Sequence, residues 1–315
     1  MNWSVPCFDD VKKFSLLLND PSLEGSDCSL ANLFLYQKQY DTRICAENGF
    51  LFRFYTGNES RGGYGFPIHL KNSVSTLLDA IKLILEDAEK NGRPVKFCMI
   101  TKNQKNQLEE CALKNFPDFH FEWNTNRDDC DYIYGRKNLA ELAGKTYHKK
   151  KNHVSKFLRT FEGNWEFRLL SLCNVSDDIV RVSEKWLQER LNAGIADDRK
   201  ILEMELESIK TAVEHKSDFE IEGGVLYTSG KPVAMTLASK ISDTVLDVNY
   251  EKCLGEAAQN GGYAAINWCF ANAAEKFDFF NREEDMGVEG LRKAKLSYHP
   301  QKILDKYFGE MHQRW

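Results

Sequence analysis

Three strand patterns run back to back between residues 224 and 253, and no other stretch constrains the fold as strongly. Residues 224–228, 233–241 and 245–253 are apolar runs of strand length. Only Thr228-Ser229-Gly230-Lys231 and Ser242-Asp243 separate them. Such short turn-rich links read as the turns of a strand meander. After a loop, EAAQNGG, a helix starts at Tyr263 and carries Tyr263, Ile266, Phe270 and Ala274 on one face. The aromatic run 277–280 then reads as a buried strand. It is followed by the least core-like segment of the chain, 281–300 (NREEDMGVEGLRKAKLSYHP), with four acids, four bases and two glycines. A polar cluster at the end of a buried strand is where α/β folds place binding and chemistry.

The rest of this half supplies the helices. Residues 166–170 read as a strand. Ser176 or Asp177 caps a helix to about 191, with Ile179, Trp186 and Leu187 on or near one face. Asp197-Asp198 opens another, with Ile201, Leu202, Ile209 and Val213 as its core.

The first half repeats the pattern loosely. Asp9 and Asp10 open a helix with Val11, Phe14, Leu17 and Leu18, which Asn19-Asp20-Pro21 ends. A short helix covers 30–36. Strands at 41–46 and 50–55 flank Asn48-Gly49, the strongest short hairpin signal. The glycine-rich stretch 57–67 has no GK[ST] and reads as a flexible connection, not a phosphate loop. The helix 74–90 carries Val74, Leu77, Leu78, Ile81, Leu85 and Ala88 in one stripe and stops at Asn91-Gly92. A strand after Pro94, a helix at 103–115 and strands at 119–123 and 130–134 complete the unit. Asp128, Asp129 and Asp131 could bind a cation but read first as a solvated acidic turn. Residues 303–308 form a docked C-terminal helix or strand.

The chain has 315 residues, enough for about two domains. Its net charge of −5 argues against a general nucleic-acid binder. No apolar run reaches the ~18 residues of a membrane helix, and the N-terminal stretch has no secretion-signal pattern. Nine scattered cysteines with no CxxC suggest neither a zinc cage nor a disulfide framework, so reduced thiols in a cytoplasmic protein are expected. One local exception to the acidic balance is 145–156, with five lysines, two histidines and no acids. It reads either as a phosphate-binding or localisation patch or as a solvated helix face. His148 and His153 are five apart and do not share a face as paired metal ligands would, so no metal site is expected.

Four features of the second half carry candidate chemistry. Glu251-Lys252 ends the third meander strand, where a surface ion pair is the plain alternative. Asn260-Gly261-Gly262 precedes a helix and could face backbone N–H groups toward an anion, or be a turn. Asn281-Arg282-Glu283-Glu284-Asp285 places carboxylates beside an arginine, suited to a general base or an amine binder, or to a solvated turn. Arg292 and Lys295, three apart and followed by Tyr298, could clamp a phosphate or line a solvated helical turn.

These segments also carry a resemblance. Residues 144–157 (GKTYHKKKNHVSKF), 249–252 (NYEK), 261–267 (GGYAAIN) and 281–300 resemble a bacterial family of uncharacterised proteins. That family is similar to the C-terminal catalytic domain of phosphatidylglycerol lysyltransferases. Residues 28–40 (CSLANLFLYQKQY) match its opening pattern more loosely. The resemblance implies an α/β (α+β) fold of two tandem GNAT-like domains, each a mixed, mostly antiparallel sheet flanked by helices. They would cover 1–135 and 136–315, the second carrying the family motifs. It implies a transferase moving an activated acyl or aminoacyl group to an amine or hydroxyl acceptor in a cleft between the halves. Acyl-CoA or aminoacyl-tRNA would be the co-substrate, with no tightly bound cofactor. The segment 259–263 stands where GNAT folds meet the donor pyrophosphate, but it lacks the glutamine/arginine-x-x-glycine-x-glycine/alanine pattern of coenzyme A users.

On this reading Glu251, Arg282, Glu283 and Asp285 are the catalytic candidates. Lys149, Lys150, Asn152, Asn249, Lys252, Gly261, Gly262, Tyr263, Asn281, Arg292, Lys295 and Tyr298 are the donor- and substrate-binding candidates. The competing reading is a non-catalytic module that binds an anionic ligand or the acceptor end of a tRNA.

Overall fold

The computed structural model describes residues 1–15, 17–18, 22–57, 62–194 and 199–314. The helix stop at Asn19-Asp20-Pro21, part of the glycine-rich stretch and the helix start at Asp197-Asp198 lie outside them. In chain order the first elements are α1 (Phe8–Ser15), α2 (Leu30–Leu35), α3 (Gln37–Tyr40), β1 (Thr42–Glu47), β2 (Phe50–Tyr55), β3 (Gly63–Tyr64), β4 (Ile68–His69), α4 (Leu77–Lys90), β5 (Lys96–Thr101), α5 (Lys102–Asn115) and β6 (Phe119–Thr125). There follow β7 (Asp131–Gly135), α6 (Arg136–Glu141), α7 (His148–Thr160), β8 (Trp165–Leu169), α8 (Ser176–Asn192), α9 (Arg199–Glu214), β9 (Glu222–Thr228), β10 (Lys231–Lys240), β11 (Val245–Cys253), α10 (Gly255–Gln259), α11 (Gly262–Ala273), β12 (Phe279–Asn281), α12 (Glu289–Leu296), β13 (Lys302–Leu304) and β14 (Lys306–Gln313).

The chain folds as two compact units with interleaved bounds. One holds Met1–Asp131, Glu284–Gly287 and Leu304–Trp315; the other holds Tyr132–Glu283 and Val288–Ile303. Each is a mixed, mostly antiparallel sheet with helices, the α+β class the sequence implies. The first sheet runs β1-β2-β3-β5-β14-β6, with β4 on β2. Its β1–β2 hairpin turns at Asn48 and Gly49, both at positive φ, as Asn-Gly predicts. Strand β14 hydrogen-bonds to both β5 and β6, which is why the C-terminus belongs to this unit. Phe50, Phe52, Tyr64, Ile81, Ile84, Phe97 and Leu108 fill its core.

Two expectations for this unit change. Val74 is 96% exposed, because the helix begins only at the Thr76–Asp79 capping box. The Asp128–Asp131 turn is not solvated: Asp129 and Asp131 are buried. Lys306 Nζ lies 2.9 Å from Asp131 Oδ1 and 3.3 Å from Asp27 Oδ1, and Arg53 meets Asp27 at 2.9 Å. Lys306 is 175 residues from Asp131 in sequence, so local composition could not show that the acids have a buried partner.

The second sheet runs β13-β7-β12-β11-β10-β9-β8. The meander β9-β10-β11 is antiparallel as expected. Strand β12 then returns parallel to β11, and α10 and α11 make the crossover. The EAAQNGG stretch is therefore not all loop: residues 255–259 are helical, with Ala257 buried in the core beside Cys253 and Ile266. The basic stretch folds as α7, which buries Val154 and Phe157 and leaves most of its lysines outside.

Candidate active site

Two features of β11 create the site. It pairs with β12 only over Val245–Asp247, opposite Phe279–Asn281, and continues to Cys253 with no β12 partner. Its ladder with β10 also slips: Leu237 faces Tyr250 but Ser239 faces Asp247, so β11 carries one extra residue between. Such a bulge re-aims the side chains beyond it. Tyr250 and Lys252 then reach α9, where Tyr250 meets Ser208 at 2.8 Å and Lys252 pairs with Glu205. Glu251 turns the other way, toward α11 and the end of β12.

Glu251 is the hub of that second group. Arg282, the first residue after β12, donates from Nη2 to Glu251 Oε1 at 3.1 Å; the two side chains are 13% and 11% exposed. From α11, Asn267 donates from Nδ2 to Glu251 Oε2 at 3.4 Å. The guanidinium faces the Tyr298 ring at 5.0 Å and the Tyr134 ring at 5.9 Å. Burial opposes its charge, but Glu251 and the two phenols outweigh that and hold its pKa above the ordinary arginine value. Lys150 of α7 stands 3.7 Å over the same Tyr298 ring. Burial first, and the neighbouring Arg282 second, pull its ammonium down to about 8. Breaking a buried ion pair such as Glu251–Arg282 costs about 3–5 kcal/mol, because one charge is left uncompensated.

Two polar atoms of this group have no hydrogen-bond partner, Asn267 Oδ1 and Arg282 Nη1. Tyr298 acts on the guanidinium both by charge and as a close hydrogen-bonding neighbour, although no bond of proper geometry reaches Nη1. A buried polar group left unpaired costs about 1–3 kcal/mol, so each of these two atoms calls for a partner from outside the protein, whether water, an ion or a ligand.

The other sequence candidates take different places. Asn249 donates to Asp247 at 3.1 Å and to Glu283 at 3.3 Å. Asn281, fully buried, accepts the Glu283 N–H at 2.7 Å. Glu283 sits at positive φ (53°). Lys295 is 8% exposed and donates to the carbonyls of Arg282 and Glu283, at 2.6 and 3.2 Å. It holds the main-chain turn that aims Arg282. Tyr134 Oη in turn donates to the Lys295 carbonyl at 2.8 Å. Arg292 lies half-buried on α12. Asp285 belongs to the other unit, where it accepts from Gly287 N–H at 3.0 Å and meets Arg127 at 3.5 Å.

Lys252 is buried under the Trp186 ring at 3.7 Å, and Trp186 Nε1 donates to Tyr263 Oη at 3.1 Å. Gly261 and Gly262 are packing glycines. A Cβ on Gly261, at φ +94°, would stand 2.2 Å from the His153 carbonyl oxygen, and one on Gly262 would stand 2.5 Å from Cys253 Sγ. Lys149 and Asn152 are exposed on α7, where the Asn152 amide meets His148 at 3.4 Å. The Cys253 thiol offers no nucleophile, because burial first and then Glu251 push it up to about 12. Among the described residues no group of three or more His, Cys, Asp or Glu is placed to hold a metal ion.

Sequence reasoning missed Asn267, Tyr134, Trp186 and Glu205. Asn267 left one usable signal: an amide in the otherwise apolar run GYAAINWCF.

Comparison with known proteins decides the family. The model of the phosphatidylglycerol lysyltransferase C-terminal family matches residues 22–309. The chain belongs to this family. An uncharacterized protein of Mycoplasmoides gallisepticum is 21% identical over 238 residues, 72% of this chain and 74% of that one. A crystal structure of a conserved protein of unknown function from Bacteroides thetaiotaomicron is 28% identical, with a TM-score of 0.85 over 99% of this chain and 100% of that one. The C-terminal domain of a candidate lysylphosphatidylglycerol synthetase from Agrobacterium fabrum shares the fold. Its TM-score is 0.60 at 12% identity, over 96% of this chain and 91% of that domain. Family and fold are thus of the acyltransferase type. No helix among the described residues is long and apolar enough to cross a membrane.

Proposed function

We propose that this chain transfers an activated acyl or aminoacyl group to an amine or hydroxyl acceptor at the Glu251–Arg282 site. The observation that carries the reading is the buried Glu251–Arg282 pair, with an unpartnered Nη1, next to a lysine whose pKa is drawn down to about 8. The donor carbonyl takes the free Nη1–H, and Arg282 stabilises the oxyanion that develops as the acceptor attacks. Glu251, held by Arg282 and Asn267, orients the acceptor. Lys150, as the free amine, takes its proton. The acceptor's N or O bonds to the carbonyl carbon, the donor's ester or thioester bond breaks, and the leaving group departs with its electron pair. Orientation and proton removal suffice, with no covalent enzyme intermediate.

The donor is an aminoacyl-tRNA or an acyl-CoA. The exposed lysines of α7 face outward as a basic surface suited to its phosphates, and Arg292 extends that role. Glu283, Asn249 and Asn281 set the loop that positions Arg282, while Lys252, Tyr263 and the glycine pair shape the strand end.

A donor-consumption assay with a panel of amines and alcohols tests this reading. Glu251→Gln should lower turnover by about 10²-fold or more, the scale of a positioned polar group, while the fold is retained. Wild-type turnover that survives unchanged in Glu251→Gln and in Arg282→Lys would remove the site assignment. Donor binding without turnover across the whole panel would favour the binding-module reading, which the exposed basic face of α7 also supports.

A further inference from the structure

A phenol faces the same end of β11. Tyr263 and Asn267 are four apart on α11 and share one face of the helix. Asn267 reaches Glu251 from there. One turn earlier, Gly262 seats the helix start against the Cys253 thiol, and Tyr263 lies over the end of the strand. The Trp186 indole N–H donates to Tyr263 Oη at 3.1 Å. An indole nitrogen only donates, so the phenol oxygen is the acceptor and its own proton must point elsewhere. The Cys253 main chain is a further hydrogen-bonding neighbour that favours the phenolate, as an N–H donor does. Among the described residues nothing takes the Tyr263 proton. The residue is 37% exposed, so a ligand can reach it. Burial holds its pKa above the ordinary phenol value, so the proton is in place at neutral pH.

Lys150 and Tyr263 approach Glu251 through different neighbours. Lys150 does so by way of Tyr298 and Arg282, and Tyr263 by way of Asn267 and Cys253. The Glu251 charge acts on both. In the transfer the acceptor's proton goes to Lys150. The bond that breaks leaves an electron pair on the donor's oxygen or sulfur, and that atom needs a proton from a second group. We infer that Tyr263 is a further catalytic residue, the acid of this site. As the bond from the carbonyl carbon to the leaving atom breaks, Tyr263 Oη gives its proton to that atom. The phenolate left behind is held by the Trp186 and Cys253 N–H groups. It regains a proton from solvent, to which Lys150 returns the one it took. Trp186 is then a positioning residue that turns the phenol proton toward the donor. The inference rests on the transferase reading above and adds the proton donor which that reading lacks.

Turnover by the purified full chain tests it with donors that differ only in the leaving group. These are the acetyl and alanyl esters of 4-nitrophenol, phenol and trifluoroethanol, with hydroxylamine as acceptor. An acid contributes more as the leaving oxygen becomes more basic. In wild type, kcat/KM should fall by less than about tenfold along each series. Tyr263→Phe should steepen the fall, with a loss of about 10²-fold or more on the trifluoroethyl ester and a loss at least tenfold smaller on the 4-nitrophenyl ester. Trp186→Phe, which keeps the phenol but removes its fixed N–H partner, should tilt the series the same way by a smaller factor. A tyrosine that merely ties α8 to α11 would lower all esters alike. The wild-type series needs no variant to fold, and a fall of about 10²-fold or more there would by itself overturn the inference. An equal loss along the series in Tyr263→Phe, or no loss, would also overturn it and leave the transferase reading in place. Wild-type turnover of none of the esters would overturn both.

Discussion

Lys150 and Arg282 both lie against the ring of Tyr298, and that arrangement makes a prediction at the scale of a single proton. Burial disfavours the Lys150 ammonium and the nearby Arg282 cation adds to the effect, so Lys150 gives up its proton near pH 8 instead of near the ordinary 10.5. Between those two values the unfolded chain binds the proton and the folded chain does not, so this group makes stability rise with pH across the window. At neutral pH the charged form is penalised by about 1 kcal/mol, once the lysine's partial exposure is allowed for. Carbon-13 NMR of the lysine side chains should find one that titrates near pH 8, and Arg282→Met should move it upward. A Lys150 that titrates near the ordinary value in wild type would remove it as the proton acceptor. Sequence alone marked Lys150 as one of five lysines in a basic run; its separate chemistry depends on burial and on Arg282, far away in the chain. Asn267 was harder still, since a single amide in an apolar helix gives no hint of what it faces.

Between elements, the contact of α11 with α7 is made through glycine. Gly261 sits at φ +94° against the His153 backbone, a conformation and a gap that only a residue without Cβ accepts. Gly261→Ala should therefore destabilise the chain by more than about 2 kcal/mol in chemical denaturation. It should also weaken donor binding, because α7 carries Lys150. A neutral Gly261→Ala would show that the two helices are not seated as described. Here the sequence was legible in part. The glycine pair stood out as a phosphate loop or a turn, and it is a turn that lets helices approach. The meander, the Asn48-Gly49 hairpin and the amphipathic helices were readable because each is set by period and local turn chemistry. The short strands β3 and β4 were not, since their pairing depends on β2 and β5 and not on their own residues.

Over the whole molecule, duplication was legible as two similar successions of helices and strands, and the family motifs gathered in the second. The interleaving was not. Strand β14 lies between β5 and β6, and Lys306 at its start answers Asp131 and Asp27 inside the first unit. No local pattern announces a partner that far along the chain. The candidate site likewise draws on α7, β11, α11 and β12 together, so its members become visible as one group only when the parallel return of β12 is in place. The central claim is that this group binds an activated donor through Arg282. Thermal unfolding of the purified chain against a panel of coenzyme A, acetyl-CoA, longer acyl-CoAs and a stable aminoacyl-tRNA analogue tests it most directly. A ligand that binds the folded state stabilises it by about 2.7 kcal/mol at a hundredfold excess over its Kd. The account predicts a midpoint raised by at least one of these donors in the wild type and by none of them in Arg282→Ala. A midpoint that no donor moves, or one that moves equally in both proteins, would contradict it.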